Sequence, residues 1–236
     1  MGFRKRKIQI EELLGEDDLQ GALATLRAIP GRQAVNPLFS LLYSGDELLR
    51  WRAVTAMGVV VGRLAKTDME SARVVMRRLM WNLNDESGGI GWGSPQAMGE
   101  IAAVHAGLAT EFANIIVSYI NPAGNFLEHE TLQRGSLWAV GRLAHAHPQL
   151  AAPAAAFLPS FFDAADPCLR GTAIWAAGPI INDDMRPIIE ARLNDQAVLP
   201  LYRQTVLTRP TVAELAAGAL ATTVPRRWRG GGPLDF

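Results

Sequence analysis

The chain of 236 residues carries 23 lysines and arginines against 23 aspartates and glutamates, and 49% of its residues are hydrophobic. The zero formal net charge argues against a dedicated nucleic-acid binder, which usually carries a basic excess. Cys168 is the only cysteine, which excludes a disulfide within the chain and is typical of a reducing compartment. No apolar run reaches the roughly 18 residues of a membrane span, and no signal-peptide core follows the basic start. We therefore expect a cytoplasmic protein without a membrane partner.

The first residues are predicted to form a cap for the rest of the chain. Residues 1–7 are expected to be a basic tail, followed by a short helix that ends at Gly15. Leu19, Ala22, Leu23, Leu26 and Ile29 then recur at helical spacing, and Pro30-Gly31 ends the second helix. We expect residues 1–32 to be an N-terminal helical cap.

A segment near residue 50 returns near residue 170. Residues 46–58 and 166–178 share the pattern Asp-x-x-Leu-Arg-x-x-Ala-x-x-Ala-x-Gly, and weaker copies end at Gly99 and Gly141. A unit that recurs at about 40 residues is typical of a solenoid of helix pairs. Asp46 is the predicted N-cap of its helix, and each repeated glycine, which is unfavourable inside a helix by roughly 1 kcal/mol, predicts close approach of a neighbouring helix.

The second copy is interrupted by an enlarged loop. Four glycines lie between Gly88 and Gly93, a density that a helix does not tolerate. Ser94 and Pro95 predict a new helix, with serine as its N-cap. We expect the 84–95 loop to contact a partner, because functional residues concentrate on loops; its candidate residues are Asn84, Asp85, Glu86, Ser87 and Trp92.

The later repeats follow the same plan until residue 195. Beyond it, residues 199–211 are richer in β-branched residues and are expected to be irregular or extended, and a last helix is predicted over residues 211–221. The expected division is a cap over 1–32, repeats over 33–195, a C-terminal cap over 196–222 and a flexible tail over 223–236.

The repeated pattern resembles HEAT-like repeats, including those of phycobilisome-lyase-type repeat proteins. The resemblance covers residues 33–195 and implies an all-α fold, a right-handed superhelix of about five helix pairs. It also implies that the Asp-Leu-Arg helix of each unit lines the concave side. The residues that it places on or near that face are Arg50, Trp51, Arg134, Trp138, Arg170 and Trp175.

The tryptophans among these residues permit two interpretations. Trp51, Trp92, Trp138 and Trp175 could form an aromatic groove for a peptide, a base or a planar ligand, but tryptophans of helix pairs are also packing residues. Core packing is favoured for Trp138 and Trp175, whereas Trp92 is the better functional candidate. Of the arginines, Arg50 and Arg170 are expected to contact the aspartate of a neighbouring unit.

Other chemistry has weaker support in the sequence. The oxygen-rich residues 82–87 do not match a calcium loop, so we expect no metal site there. The run Gly88–Gly93 lacks the lysine and the preceding strand of a phosphate loop. The four histidines form no metal-ligand set, and Cys168 stands near a predicted helix start that can lower a thiol pKa, without a base beside it in sequence.

The favoured function is a non-catalytic scaffold without a cofactor that binds a protein partner through its concave face and the 84–95 loop. The predicted contact residues are the loop candidates above together with Trp51, Arg52, Arg134 and Trp138. Two alternatives rest on the resemblance: a HEAT-like alkylpurine DNA glycosylase or DNA-binding protein, and a chromophore-lyase or maturation-factor subunit.

Overall fold

The computed structural model describes residues 2–83 and 91–222. The helices, in chain order, are α1 (Phe3–Gly15), α2 (Leu19–Arg27), α3 (Gly31–Leu41), α4 (Glu47–Thr67), α5 (Met69–Leu83), α6 (Ser94–Val104), α7 (Ala106–Ser118), α8 (Glu130–Ala146), α9 (Pro148–Ala151), α10 (Pro167–Ala177), α11 (Met185–Glu190) and α12 (Val212–Ala221). Short 3₁₀ turns follow α9 at Ala152–Ala156 and Leu158–Phe161, and α10 at Gly178–Ile180. The strands β1 (Leu201–Arg203) and β2 (Val206–Thr208) form an antiparallel hairpin in which Tyr202 faces Leu207.

The helices stack as pairs into an all-α superhelix, as the repeat predicts. The second helices of successive pairs, α4, α6, α8, α10 and α12, pack side by side along the inner face. One continuous hydrophobic core runs through the whole stack. Each pair therefore buries its apolar surface against its neighbours, as expected for a solenoid.

The repeated glycines occupy equivalent places between inner helices. A Cβ atom at Gly58 would lie 2.7 Å from the Glu100 side chain on α6, and one at Gly99 would lie 2.5 Å from the Cα atom of Ala139 on α8. Gly141 faces Trp175 on α10 in the same way, and Gly178 faces α12. The predicted reason for these glycines, close approach of the next helix, is confirmed at Gly58, Gly99 and Gly141, whereas the contact at Gly178 is an ordinary one of 3.4 Å.

Aspartate side chains cap the starts of the inner helices α4 and α10. The Asp46 carboxylate accepts a hydrogen bond from the backbone N–H of Leu49 at 2.9 Å, which confirms the predicted N-cap of α4. Asp166 accepts two such bonds at the start of α10. At α6 the prediction was wrong by one residue: Gly93 is the N-cap and Ser94 is the first helical residue.

The basic tail predicted for residues 1–7 was also wrong, because α1 begins at Phe3. The segment after residue 198 is extended, as predicted, and its hairpin folds onto the inner face. Leu199 and Leu201 are buried there, and Leu199 packs against Gly171 of α10. The hairpin thereby forms one wall of the concave side.

Among residues 2–83 and 91–222, none of the helices combines the length and the hydrophobicity that crossing a membrane requires. The boundaries expected at residues 32, 195 and 222 stay predictions, and the predicted flexible tail, 223–236, lies outside the described residues.

Candidate functional site

A groove opens on the inner face near the N-terminal ends of α4, α6, α8 and α10. Its volume is about 280 Å³. The apolar part of its wall comes from three inner helices and the hairpin, and the polar part from the first turns of the helices. Its lining residues of greatest interest are Glu47, Arg50, Trp51, Trp92, Arg134 and Trp138.

Trp92 reaches the mouth of the groove because the backbone turns sharply after it. Gly93 has a φ of +77°, a conformation that glycine adopts without steric cost. A Cβ atom at Gly93 would also lie 3.0 Å from the Cβ atom of Leu42 and 3.2 Å from its carbonyl oxygen. The close contact with Leu42, the residue that follows α3, fixes the turn, and 42% of Trp92 remains exposed.

Stacked aromatic rings form the floor of the groove. The Trp51 ring lies parallel to that of Tyr202 on β1, with centroids 5.0 Å apart and an interplanar angle of 9°. The centroid of Trp138 lies 4.8 Å from that of Trp51, and the indole Nε1 of Trp138 donates to the Tyr202 carbonyl oxygen at 2.7 Å. Trp51 is thus held between the hairpin and α8, with part of its surface left to the groove.

The structure corrects the predicted contact role of Trp138. Only 3% of Trp138 is exposed, and its N–H group is already bonded to the hairpin. Trp138 supports the floor of the groove, and Trp175, which is 9% exposed, packs deeper. The DNA glycosylase alternative uses four tryptophans as an exposed aromatic surface. Two of them, Trp138 and Trp175, are buried.

Arg52, another predicted contact residue, points away from the groove. Its Nη1 donates to the carbonyl oxygens of Leu14 at 2.8 Å and Glu16 at 2.7 Å. These carbonyls lie at the C-terminal end of α1, where a helix leaves acceptors without internal partners. Arg52 caps that end and joins the N-terminal helices to α4.

Arg134 lies on the groove wall but is engaged in ion pairs. Its Nε donates to Asp166 at 2.8 Å, and its Nη2 pairs with Glu130. The two carboxylates offset its charge, so Arg134 mainly joins α8 to the start of α10.

Arg50 has a different environment. Its Nη1 donates to the backbone carbonyl oxygen of Ser44 at 3.0 Å. Among the described residues no carboxylate lies within ion-pair distance of it. The expectation that Arg50 contacts an aspartate of the next unit has no support there, whereas Arg170 does form such a pair, with Asp195 at 2.7 Å.

Cys168 also lines the groove. Burial raises the pKa of its thiol, and the nearby Asp166 carboxylate raises it further. The pKa of this thiol therefore lies above its usual value, which does not favour a reactive thiolate. Across residues 2–83 and 91–222 there is no group of three His, Cys, Asp or Glu side chains placed to hold a metal ion.

Four of the predicted contact residues, Asn84, Asp85, Glu86 and Ser87, lie outside the described residues. Sequence reasoning missed the contribution of Tyr202, Leu201 and Pro200, which close one side of the groove. The β-branched composition of that segment predicted extended backbone, but no sequence signal indicated that it folds back over α4 and α8.

The chain matches no family model. A protein of Archaeoglobus fulgidus, itself described only as uncharacterized, is 26% identical over 182 residues, which cover 75% of this chain and 91% of that protein. Among solved structures, an engineered protein has a TM-score of 0.52 at 15% identity, over 94% of this chain and 96% of its own. A second engineered protein has a TM-score of 0.51 at 16% identity, over 94% of this chain and 58% of its own. These likenesses support the helical repeat fold alone, and the narrower phycobilisome-lyase resemblance stays a prediction.

Proposed function

We propose that the protein is a non-catalytic repeat scaffold whose inner groove binds a large apolar or aromatic side chain of a protein partner. The observation that carries this proposal is the groove itself, with Trp92 at its mouth and Trp51 on its floor. Exposed aromatic side chains on a rigid scaffold are the usual anchors of protein interfaces, because they bury much apolar area at little entropic cost.

The size of the groove supports a side chain as its occupant. Ligand pockets for small molecules and cofactors measure about 300–1,000 Å³, and the groove, at about 280 Å³, lies just below that range. One or two side chains of an extended segment match this space. Within the protein Tyr202 stacks face to face on Trp51, and this internal contact supports an aromatic occupant beside the same indole.

The rigidity of the walls also favours binding. The floor is fixed by the Trp138 hydrogen bond and by ring stacking, and the mouth is fixed by the contact of Gly93 with Leu42. A preformed groove loses little conformational entropy when a ligand enters it, so more of the contact energy appears as affinity.

Selection of short random peptides on the purified protein tests this function. We expect peptides with a recurrent aromatic or large apolar residue to be enriched. The Trp92→Ser variant should bind the selected peptides about tenfold or more weakly, the usual loss when a central interface aromatic is removed.

Trp81→Ser is the matched control, because Trp81 is 75% exposed, lies on α5 and does not line the groove. It should bind the peptides as the wild type does. If nothing is enriched, or if both variants bind equally well, the groove is not a peptide site.

A further inference from the structure

The joints between successive helix pairs are crossed by pairs of arginine with a carboxylate. On the inner side, Arg142 of α8 binds Glu100 of α6 at 2.6 Å, and the pairs of Arg134 with Asp166 and of Arg170 with Asp195 continue the series. On the outer side, the joints are crossed by Arg32 with Asp68 and by Arg73 with Glu111. These arginines of the stack thus join successive repeats.

Arg50 is an exception to this series at the groove. The equivalent residue of the fourth repeat, Arg170, pairs with Asp195, whereas Arg50 has no carboxylate within ion-pair distance among the described residues. Within the described part of the chain, Arg50 retains only its bond to the Ser44 carbonyl, which occupies one of its five N–H donors.

From this placement we infer that Arg50 binds a carboxylate of the partner, next to the side chain that enters the groove between Trp51 and Trp92. This inference rests on the proposed function and names the chemistry of its ligand: an extended peptide in which a carboxylate lies beside a large apolar or aromatic residue. The carboxylate comes from an Asp or Glu side chain or from a C-terminus.

Two properties of the site favour this chemistry. A guanidinium presents a planar fork of donors that matches the two oxygens of a carboxylate, and such charged hydrogen bonds are about twice as strong as neutral ones. Arg50 is also partly buried and lines the same groove as Trp51, so the bond would form where apolar walls exclude some of the water that weakens ion pairs.

The carboxylate of Glu47 disfavours an anionic ligand in the groove. It lines the same groove one helical turn before Arg50, and none of the ion pairs of the described residues joins Glu47 to Arg50. Its charge repels a carboxylate at short range, which gives the inference a second, opposite consequence: neutralising Glu47 should strengthen binding, whereas neutralising Arg50 should weaken it.

The test uses two libraries of short random peptides, one with a free C-terminal carboxylate and one ending in an amide. The wild type should enrich peptides with an acid adjacent to the aromatic or apolar residue. Enrichment from both libraries indicates a side-chain carboxylate, and enrichment from the free-acid library alone indicates a C-terminus. Arg50→Gln should lower affinity for these peptides about tenfold, Arg50→Lys should lower it less, and Glu47→Gln should raise it.

Arg63→Gln is the matched control, since Arg63 is an exposed arginine of the same helix that does not line the groove, and a melting curve of each variant verifies folding. Enriched peptides that lack an acid, or an unchanged affinity in Arg50→Gln, would overturn the inference while leaving the proposed function intact. Loss of all enrichment would overturn both.

Discussion

At the scale of single residues, the close packing of α6 against α8 depends on Gly99, which has no Cβ atom. A Cβ atom at Gly99 would lie 2.5 Å from the Cα atom of Ala139 and 2.9 Å from its carbonyl oxygen. These are backbone atoms of α8, so the contact cannot be relieved by a rotamer change. The whole helix would have to move away.

We expect Gly99→Ala to lower the free energy of unfolding by about 1–3 kcal/mol, the usual cost of overpacking a core. The gain of roughly 1 kcal/mol in helix propensity from alanine opposes this effect and does not cancel it. Equilibrium unfolding in urea measures the change.

Gly178→Ala is the control for this prediction. Gly178 has helical dihedral angles, and a Cβ atom there would lie 3.4 Å from its nearest neighbour, which is ordinary contact. Its stability should change by less than about 1 kcal/mol, toward greater stability. Equal destabilisation of both variants would show that packing between inner helices is not the reason for the glycines.

A second residue, His145, makes stability depend on pH. Burial lowers the pKa of its imidazole below the usual 6.5, and the charges of Arg142 and Arg203 lower it further, against the opposing bond to the Trp175 carbonyl. The unfolded chain therefore binds a proton more readily than the folded one. Stability from this group is fully present above pH 6.5, declines as the pH falls below that value and is lost once the pH is below the folded pKa.

We expect the wild type to lose more stability than His145→Gln when the pH is lowered from about 8 to about 5. Urea unfolding of both proteins at several pH values measures the difference. The other three histidines are common to both proteins, so their contributions cancel. Parallel pH profiles would contradict the prediction, as would an NMR titration of His145 at or above 6.5.

At the scale of elements, the hairpin has an unfavourable turn. Gln204 and Thr205 connect β1 to β2 with φ angles of 51° and 65°, and a β-branched residue is rarely found in this region. The left-handed conformation costs roughly 1–2 kcal/mol for an L-residue. Two-residue hairpin turns of this kind favour Asn-Gly.

Replacing the turn by Gln204→Asn together with Thr205→Gly should raise the free energy of unfolding by about 1 kcal/mol. The relief of strain exceeds the entropy that glycine adds to the unfolded chain. Thermal unfolding of the variant and the wild type measures the gain. An unchanged or lower melting temperature would show that the turn is not strained.

The elements also show what the sequence could predict. The inner helices, the Asp46 cap and the close approach at Gly58 and Gly99 follow from local periodicity, and the structure confirms them. The groove wall could not be predicted in this way, because the contact of Tyr202 with α4 joins segments far apart in the chain. The role of Arg52 was missed for the same reason, since its acceptors belong to α1.

At the scale of the whole molecule, the hairpin joins the first repeat to the last. The Tyr202 hydroxyl bonds that of Thr55 on α4 at 3.0 Å, across 147 residues of sequence, and its ring stacks on Trp51. In an ordinary solenoid each repeat contacts only its neighbours, so separate regions can open independently. Here the hairpin contacts both ends of the stack, and these contacts should make the opening of α4 and α10 cooperative.

We expect Tyr202→Ala to lower the free energy of unfolding by about 3–5 kcal/mol, as for removal of other buried aromatic side chains, and also to uncouple the repeats. Hydrogen exchange measures the free energy of opening for each helix. The amides of α4 and α10 should give similar opening free energies in the wild type and different ones in the variant.

Val206→Ala is the matched control, because Val206 lies on the same hairpin and is 55% exposed. It should change neither the stability nor the coupling measurably. If Tyr202→Ala lowered protection of both helices equally, the loss would reflect general stability, and the repeats would be coupled through the stack itself. If protection fell mainly in one of them, the hairpin would be the element that makes this open superhelix behave as one unit.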